Sequence, residues 1–406
     1  MSKLKHIKDE LEIEKEKLRF LLDLTNSINE NAKIKEILES FKHILADKIG
    51  VKQFAFFNHH NNWDCILKYG VDKVSNHFDF PSLKVDKIII VRDRPEEIFQ
   101  GVDVLIPVFH KEKPLSYLML GSLGDKDAEF TRYHLGFVQT IANMVSVSIE
   151  NKMFANELMD RRLADYDLEM AAEMQSMLFP TKLPSDEKVD VAATYIPKQL
   201  VGGDYYDFIR FSEDEYVFCI ADVSGKGISA ALLMSNFQAN VRANVKYNHQ
   251  NLTLKELVVE LNNNVMNAAN GEKFVTAFIG YYNEKTRKLK YINAGHNYPV
   301  IIKNREAKVL KVGCIGLGML DEIPILEEEI IDIEPNTVIV CYTDGVVETE
   351  NEKGEQFEME RLVNVVANNF DAKMKTVNKI IIDSMDEFKG NKPYLDDTAI
   401  LSLRIY

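Results

Sequence analysis

Cysteine is scarce in this chain: four in 406 residues (Cys65, Cys219, Cys314, Cys341), with no CxxC pair among them. Without paired spacing there is no case for a zinc site or a disulfide framework, and buried free thiols in a reducing compartment are the simplest account. Long apolar runs are also missing. No stretch approaches the roughly 20 apolar residues that span a bilayer, and the charged N-terminus MSKLKHIKDELEIEKEKLRFLL has no signal-peptide core. The expected location is the cytoplasm, with no membrane span. Basic residues are the minority, 49 Lys and Arg against 63 Asp and Glu, for a net charge of −14. Nucleic-acid binding needs a basic face and is not expected. Clustered carboxylates would produce the same acidic excess, so a local cation site stays open. Several catalytic signatures are absent as well, among them HExxH, GxSxG and the EF-hand acid ladder. SGKG resembles a phosphate-binding loop, but Lys226 is followed by Gly227 rather than Ser or Thr, and Ile220 stands where the first loop glycine belongs.

What is present is a globular composition, 46% hydrophobic and 28% charged, in a chain long enough for two or three domains with sizeable cores. The order of patterns divides it into an N-terminal helical segment (1–20), a first α/β block (21–150), a helical linker (151–180) and a β-rich block (181–406). In the first block VKQFAFFNH reads as a strand, and DVLIPVF and SYLMLGSL flank HKEKPL as an antiparallel hairpin. From Phe137 to Phe179 no proline or glycine interrupts a helical pattern, which Pro180 and Pro184 then stop. Leu163, Met170, Met174 and Met177 fit a heptad seam, on which Asn156, Asp160 and Asp167 also fall. The seam suggests a coiled coil and a homodimer; the alternative is a helix lying on its own domains.

Beyond Val189, strand-like pieces such as VDVAATYIP, EYVFCIADV, FVTAFIGYYN and TAILSLRI alternate with grouped helical patterns, GISAALLMSNFQANVRANVK and TLKELVVELNNNVMNAA first, EMERLVNVVANNF and MKTVNKIIIDSMDEFK later. That grouping predicts an α+β class of sheets flanked by helices.

Four acidic turns carry the chemistry. Asp204 follows Gly202 and Gly203, which permit a tight turn and close approach to a ligand. Asp222 ends the apolar run YVFCIA, Asp344 ends TVIVCYT, and Asp396 with Asp397 precedes the last strand. Strand ends hold side chains rigidly, and hard divalent cations take oxygen ligands, a few carboxylates and retained waters. Two such ions could share a carboxylate and ready a water for in-line attack on phosphorus. A single Asp beside Gly is usually only a turn residue; four at element ends shift the balance toward a site. Lys226 reads as a solvated loop residue or a phosphate contact, and His296 as a turn-fixing histidine or a proton shuttle. Tyr205 and Tyr206 read as alternating between core and surface.

The segments EMQSMLFPTKLP, VGGDYYDF, ADVSGKGISAALLMS, FVTAFIGYY, YINAGHNYPVI, CIGLGML, YTDGVVETEN and DDTAI, in that order, resemble the bacterial SpoIIE-type phosphatases of the PPM (protein phosphatase 2C) superfamily, from about Met170 to the C-terminus. The resemblance implies a C-terminal αββα sandwich, a centre of two Mn²⁺ or Mg²⁺ ions, and hydrolysis of phosphoserine or phosphothreonine on a protein. By the same resemblance Asp222 bridges both metals and the Val223 carbonyl is a further ligand. Asp204 serves the second metal, largely through water, and Asp344 and Asp396 complete the first, with Asp397 a neighbour. Asp204 and Asp222 are the residues on which catalysis would depend.

The first block is similar to a GAF sensory domain, with an unknown small-molecule or protein input; Cys65, His59, His60, His77 and His110 give no ligand signature. The reading is a sensor phosphatase acting on a phosphorylated STAS-domain-like partner-switching protein. In it the input shifts the segment around Met170–Leu178 against GISAALLM. The alternatives are a non-catalytic interaction module of the same fold and a small-molecule phosphohydrolase.

Overall fold

A computed structural model describes residues 2–59, 62–71, 87–91, 102–110, 113–123, 134–247 and 253–406. The chain divides into two compact units, Met1–Leu163 and Ala164–Tyr406.

The first unit is an antiparallel sheet with helices. Its strands are β1 (Gln53–His59), β2 (Trp63–Tyr69), β3 (Ile89–Ile90), β4 (Val104–His110) and β5 (Lys113–Gly121), in the order β2-β1-β5-β4-β3. The expected strand and hairpin are β1 and the β4–β5 pair; residues 111 and 112 of the hairpin turn, with His60 and His77, lie outside the described residues. Side chains alternate across the sheet. Phe54, Phe56, Ile106 and Leu118 pack with Phe41, Val138, Ile141 and Val145 of the helices, while Ala55, Phe57, Leu105 and Tyr117 pack with Trp63 on the other face. Apolar contacts on both faces explain why QFAFF shows no polar alternation. The first helix runs Ser2–Asn29, so residue 20 lies inside it and 1–20 is not a segment apart. The long helix spans Leu135–Ser176. Its seam positions Leu163, Met170 and Met174, and Met177 just beyond its end, are all exposed in the single chain.

The second unit has four layers. Strands β6 (Val189–Ile196), β7 (Tyr205–Arg210), β8 (Glu215–Val223), β9 (Val275–Asn283), β10 (Lys288–Ala294), β11 (Val300–Lys303), β12 (Glu306–Val309), β13 (Gly313–Cys314), β14 (Glu329–Asp332), β15 (Thr337–Tyr342) and β16 (Thr398–Ile405) build two sheets. One has the order β13-β10-β9-β8-β7, with β14 on β10; the other is β12-β11-β15-β16-β6. Phe218, Ile220, Phe278 and Tyr291 meet Ile339, Cys341, Leu401 and Leu403 between the sheets. The alternate residues of β8, Val217, Cys219 and Ala221, pack against the helices Ile228–Tyr247 and Leu254–Ala269. Val338, Val340 and Ile400 pack against Glu358–Asn368 and Met374–Lys389. β8 and β15 are therefore buried on both faces, which is why YVFCIA and TVIVCY read as unbroken apolar runs. Cys219 and Cys341 are fully buried, and desolvation pushes both thiols up, away from the thiolate.

An ion pair between a buried acid and a half-buried arginine braces this unit. Asp207, on β7 and 1% exposed, accepts from Arg242 Nε at 2.6 Å and a terminal guanidinium nitrogen at 3.2 Å, from the Tyr205 hydroxyl at 2.6 Å, and from the Phe208 N–H at 2.8 Å. Removing one partner of such a pair strands a charge in the interior. Arg242→Ala is expected to lower stability by about 3 kcal/mol, measured as a fall in the urea unfolding midpoint.

Candidate metal centre

The acidic turns converge. β8 delivers Asp222 to its C-terminal end, where it pairs in register with Thr276 of β9. Asp204 enters β7 from the Gly202–Gly203 turn and is 1% exposed. A side chain at Gly202 would collide with the Tyr195 hydroxyl and the Asp397 carboxylate, and one at Gly203 would sit 3.0 Å from the Val223 carbonyl oxygen. Close approach, not backbone dihedral, is what requires glycine here, and it also places the Val223 carbonyl beside the turn that carries Asp204. Asp344 opens the short helix Asp344–Val347 directly after β15, and Asp396 stands two residues before β16.

Neighbouring groups fix these carboxylates. The Thr343 hydroxyl donates to Asp204 Oδ2 at 2.7 Å and accepts from the Ala399 N–H at 2.8 Å, tying β15, β16 and the glycine turn together. Asp397 accepts from the Gly203 N–H and the Lys198 N–H, both at 2.8 Å. Its carboxylate is committed to holding the turn, which suits a neighbour of the centre rather than a ligand. Lys226 is not a freely solvated residue: its ammonium lies 2.5 Å from Asp396 Oδ2 and donates to the Leu395 carbonyl at 3.1 Å. The buried amide of Gln175 donates to the Gly202 carbonyl at 2.7 Å and accepts from the Gly202 N–H at 3.1 Å. Gln238 Nε2, on the helix Ile228–Tyr247, donates to the Leu178 carbonyl at 3.0 Å.

The electrostatics record the convergence. Burial, then Asp222, raise the Asp204 carboxyl well above the usual carboxylate range, with Asp397 and Asp344 adding to it and the Thr343 bond opposing. Asp222 is pushed up to about 7 by burial and by Asp344, Asp396 and Asp397, against a side-chain hydrogen bond with Asp204. Asp344 is pushed up to about 6 by burial, Glu348 and Asp396. Like charges so close, with Lys226 their cationic neighbour, are the donor chemistry that hard divalent cations take. Asp204, Asp222, Asp344 and Asp396 therefore fit such ions by donor type. Among the described residues, no three His, Cys, Asp or Glu side chains are already drawn in around one ion position, so binding would require the carboxylates to close up.

His296 is buried and turn-fixing. Its N–H donates to Asn293 Oδ1 at 2.7 Å and its Nδ1 lies 2.9 Å from the Thr276 hydroxyl. Desolvation lowers its pKa to about 4, opposed by a hydrogen bond with the Tyr342 backbone. The imidazole is thus neutral at physiological pH. Tyr205 is buried and Tyr206 half-buried, as alternation requires.

The family model for stage II sporulation protein E (SpoIIE) matches residues 212–406. Protein IcfG of Synechocystis sp. is 28% identical over 264 residues, covering 59% of this chain and 41% of IcfG. Phosphoserine phosphatase RsbU of Bacillus subtilis is 29% identical over 243 residues, covering 59% of this chain and 70% of RsbU. This chain thus spans about two fifths of the length of IcfG. Among solved structures, the SiaA-PP2C domain of Pseudomonas aeruginosa superposes with a TM-score of 0.55 at 19% identity, over 61% of this chain and 99% of that domain. The second unit has the PP2C fold.

Proposed function

We propose, taking the C-terminal region as a SpoIIE-family phosphatase domain, that this chain hydrolyses phosphoserine or phosphothreonine on a protein. The observation that carries the reading is the gathering of Asp204, Asp222, Asp344 and Asp396 from four distant segments, each of the first three shifted by the others. These carboxylates and the Val223 carbonyl would hold Mg²⁺ or Mn²⁺ ions. When bound, such ions lower the pKa of a water and neutralise charge on a transferring phosphoryl group. The chain's own residues do the rest. Asp397 and Thr343 hold the glycine turn and Asp204 in place, and Lys226 puts an ammonium beside Asp396 where an anionic substrate would arrive.

The substrate we infer is a phosphorylated STAS-domain-like partner, by analogy with RsbU, a phosphoserine phosphatase. The first unit, an antiparallel sheet with helices, suits a GAF-like sensor whose small-molecule or protein input the sequence does not name. Exposed Leu163, Met170, Met174 and Met177 suit a homodimer seam. No described helix is long and apolar enough to cross a membrane, which accords with a cytoplasmic enzyme. Gln175 on the Gly202 turn and Leu178 on Gln238 are the contacts through which movement of Met170–Leu178 would reach the centre.

Phosphate release with Mn²⁺ tests this against its rivals. A phosphoserine STAS-type protein is expected to be cleaved at least about 100-fold more efficiently than phosphorylated metabolites. Equal efficiency would favour a small-molecule phosphohydrolase, and no release from any substrate would favour a binding module.

A further inference from the structure

Both oxygens of Asp396 are engaged. Its Oδ1 accepts from the Asp397 N–H at 2.9 Å, and its Oδ2 lies 2.5 Å from the Lys226 ammonium. Among the described residues this is the only ion pair made by Asp204, Asp222, Asp344 or Asp396. Lys226 stands just before the helix Ile228–Tyr247, whose start is fixed by the Ala231 N–H donating to the Gly227 carbonyl at 3.0 Å. The ammonium therefore hangs on its four-carbon stem from a fixed anchor. It also donates to the Leu395 carbonyl at 3.1 Å, an oxygen that Lys198 Nζ reaches at 2.6 Å.

Exposure decides what this contact can do. The Lys226 side chain is 46% exposed and that of Asp396 32%. A pair so open to water is weak, because solvent screens it and the stem gives up rotamers to hold it. Such a contact cannot keep a doubly charged ion away from a group of carboxylates. It can lower the affinity, since one carboxylate oxygen cannot serve an ammonium and a hard cation without pressing two positive charges together.

We propose that Lys226 is a tethered competitor for Asp396: its ammonium holds that carboxylate against a divalent ion and must let go for the ion to be bound there. The proposal rests on the reading of these acids as a divalent-cation centre and adds that the chain sets its own cation affinity through one lysine. Once parted from Asp396, the ammonium keeps the Leu395 carbonyl as a partner and stays at the rim beside Lys198, its charge available to an anion.

Calorimetric titration of the full chain with Mn²⁺, without substrate, tests the competition. Lys226→Met keeps a stem of similar length without the charge and should bind Mn²⁺ about fivefold more tightly than the native protein. Lys226→Arg retains the charge and should stay within about twofold of native. Lys198→Met removes a neighbouring ammonium that bonds Leu395 but pairs with none of the four acids among the described residues, and should also stay within about twofold. Unchanged or weaker binding in Lys226→Met overturns the proposal. So does an equal gain in Lys226→Met and Lys198→Met, which would mean a diffuse field rather than a contact. A second measurement needs no variant: acetylation of the native chain, followed by mass spectrometry, should modify Lys226 about fivefold faster at saturating Mg²⁺ than without it, and Lys198 less than about twofold faster. A Lys226 rate indifferent to Mg²⁺ counts against the competition. No Mn²⁺ binding by the native chain or any variant would remove the divalent-cation reading itself, and the proposal with it.

Discussion

Asp222→Asn should reduce Mn²⁺-dependent phosphate release by about 10³-fold or more, while the protein remains folded. An amide is neutral and offers one acceptor oxygen in place of a carboxylate, so it cannot bridge two cations. On the proposed reading, losing Asp222 would remove several kcal/mol of transition-state stabilisation, and about 4 kcal/mol corresponds to the factor expected. The fold should tolerate the change, because Asp222 lies at the end of β8 and its charge is opposed by Asp344, Asp396 and Asp397. Removing one member of a repulsive cluster should leave the melting temperature of the cation-free protein unchanged or raise it by a few degrees. Two measurements decide the matter together: steady-state phosphate release and thermal unfolding followed by circular dichroism. Activity within tenfold of the native enzyme would mean that Asp222 holds nothing essential. A collapse in melting temperature would mean that its role is structural.

The second large effect concerns pH. Asp222 titrates at about 7 in the folded protein against 3.8 for the ordinary group, and Asp344 at about 6. Because both folded values are raised, the native state binds more protons than the unfolded chain over this window. Stability is then greatest below about pH 4 as far as these groups are concerned, and it declines as pH climbs through 6 to 7. For Asp222 the span corresponds to about 4 kcal/mol at 1.36 kcal/mol per pH unit, and to roughly 3 kcal/mol after allowance for its remaining solvent contact. Without divalent cations, the urea midpoint should therefore fall between pH 5 and pH 8. Saturating Mn²⁺ or Mg²⁺ replaces the missing protons with positive charge and should restore it, so the cation-induced rise in midpoint should be larger at pH 8 than at pH 5. A cation effect equal at both pH values, or no effect at all, would contradict a centre built from these carboxylates.

Both results turn on residues that could be read directly from the chain, and the reason is physical. β8 and β15 are sealed on two faces, so YVFCIA and TVIVCY run almost without a polar break, and the first carboxylate after each run marks where the strand reaches the centre. The paired glycines before Asp204 were equally legible, because the backbone there approaches Asp397 and Val223 too closely for a side chain. The supporting contacts were not. Thr343 looks like any strand-end threonine until β16 and the glycine turn are placed around it. Lys226 meets an acid 170 positions away in the chain, a pairing with no local signature. Gln175 lies in a helical stretch whose periodicity suggests only a seam, although its amide spans both polar groups of Gly202. The break at residue 20 fell inside the helix Ser2–Asn29, where no helix-stopping residue stands.

The cysteines have a consequence of their own. Cys219 lies under one helical layer and Cys341 lies between the sheets, so a soluble alkylating reagent meets neither sulfur while the sandwich is shut. Each thiol becomes a clock for the opening of its own layer, and the difference between their modification rates tells whether the four layers come apart as one body or peel in sequence.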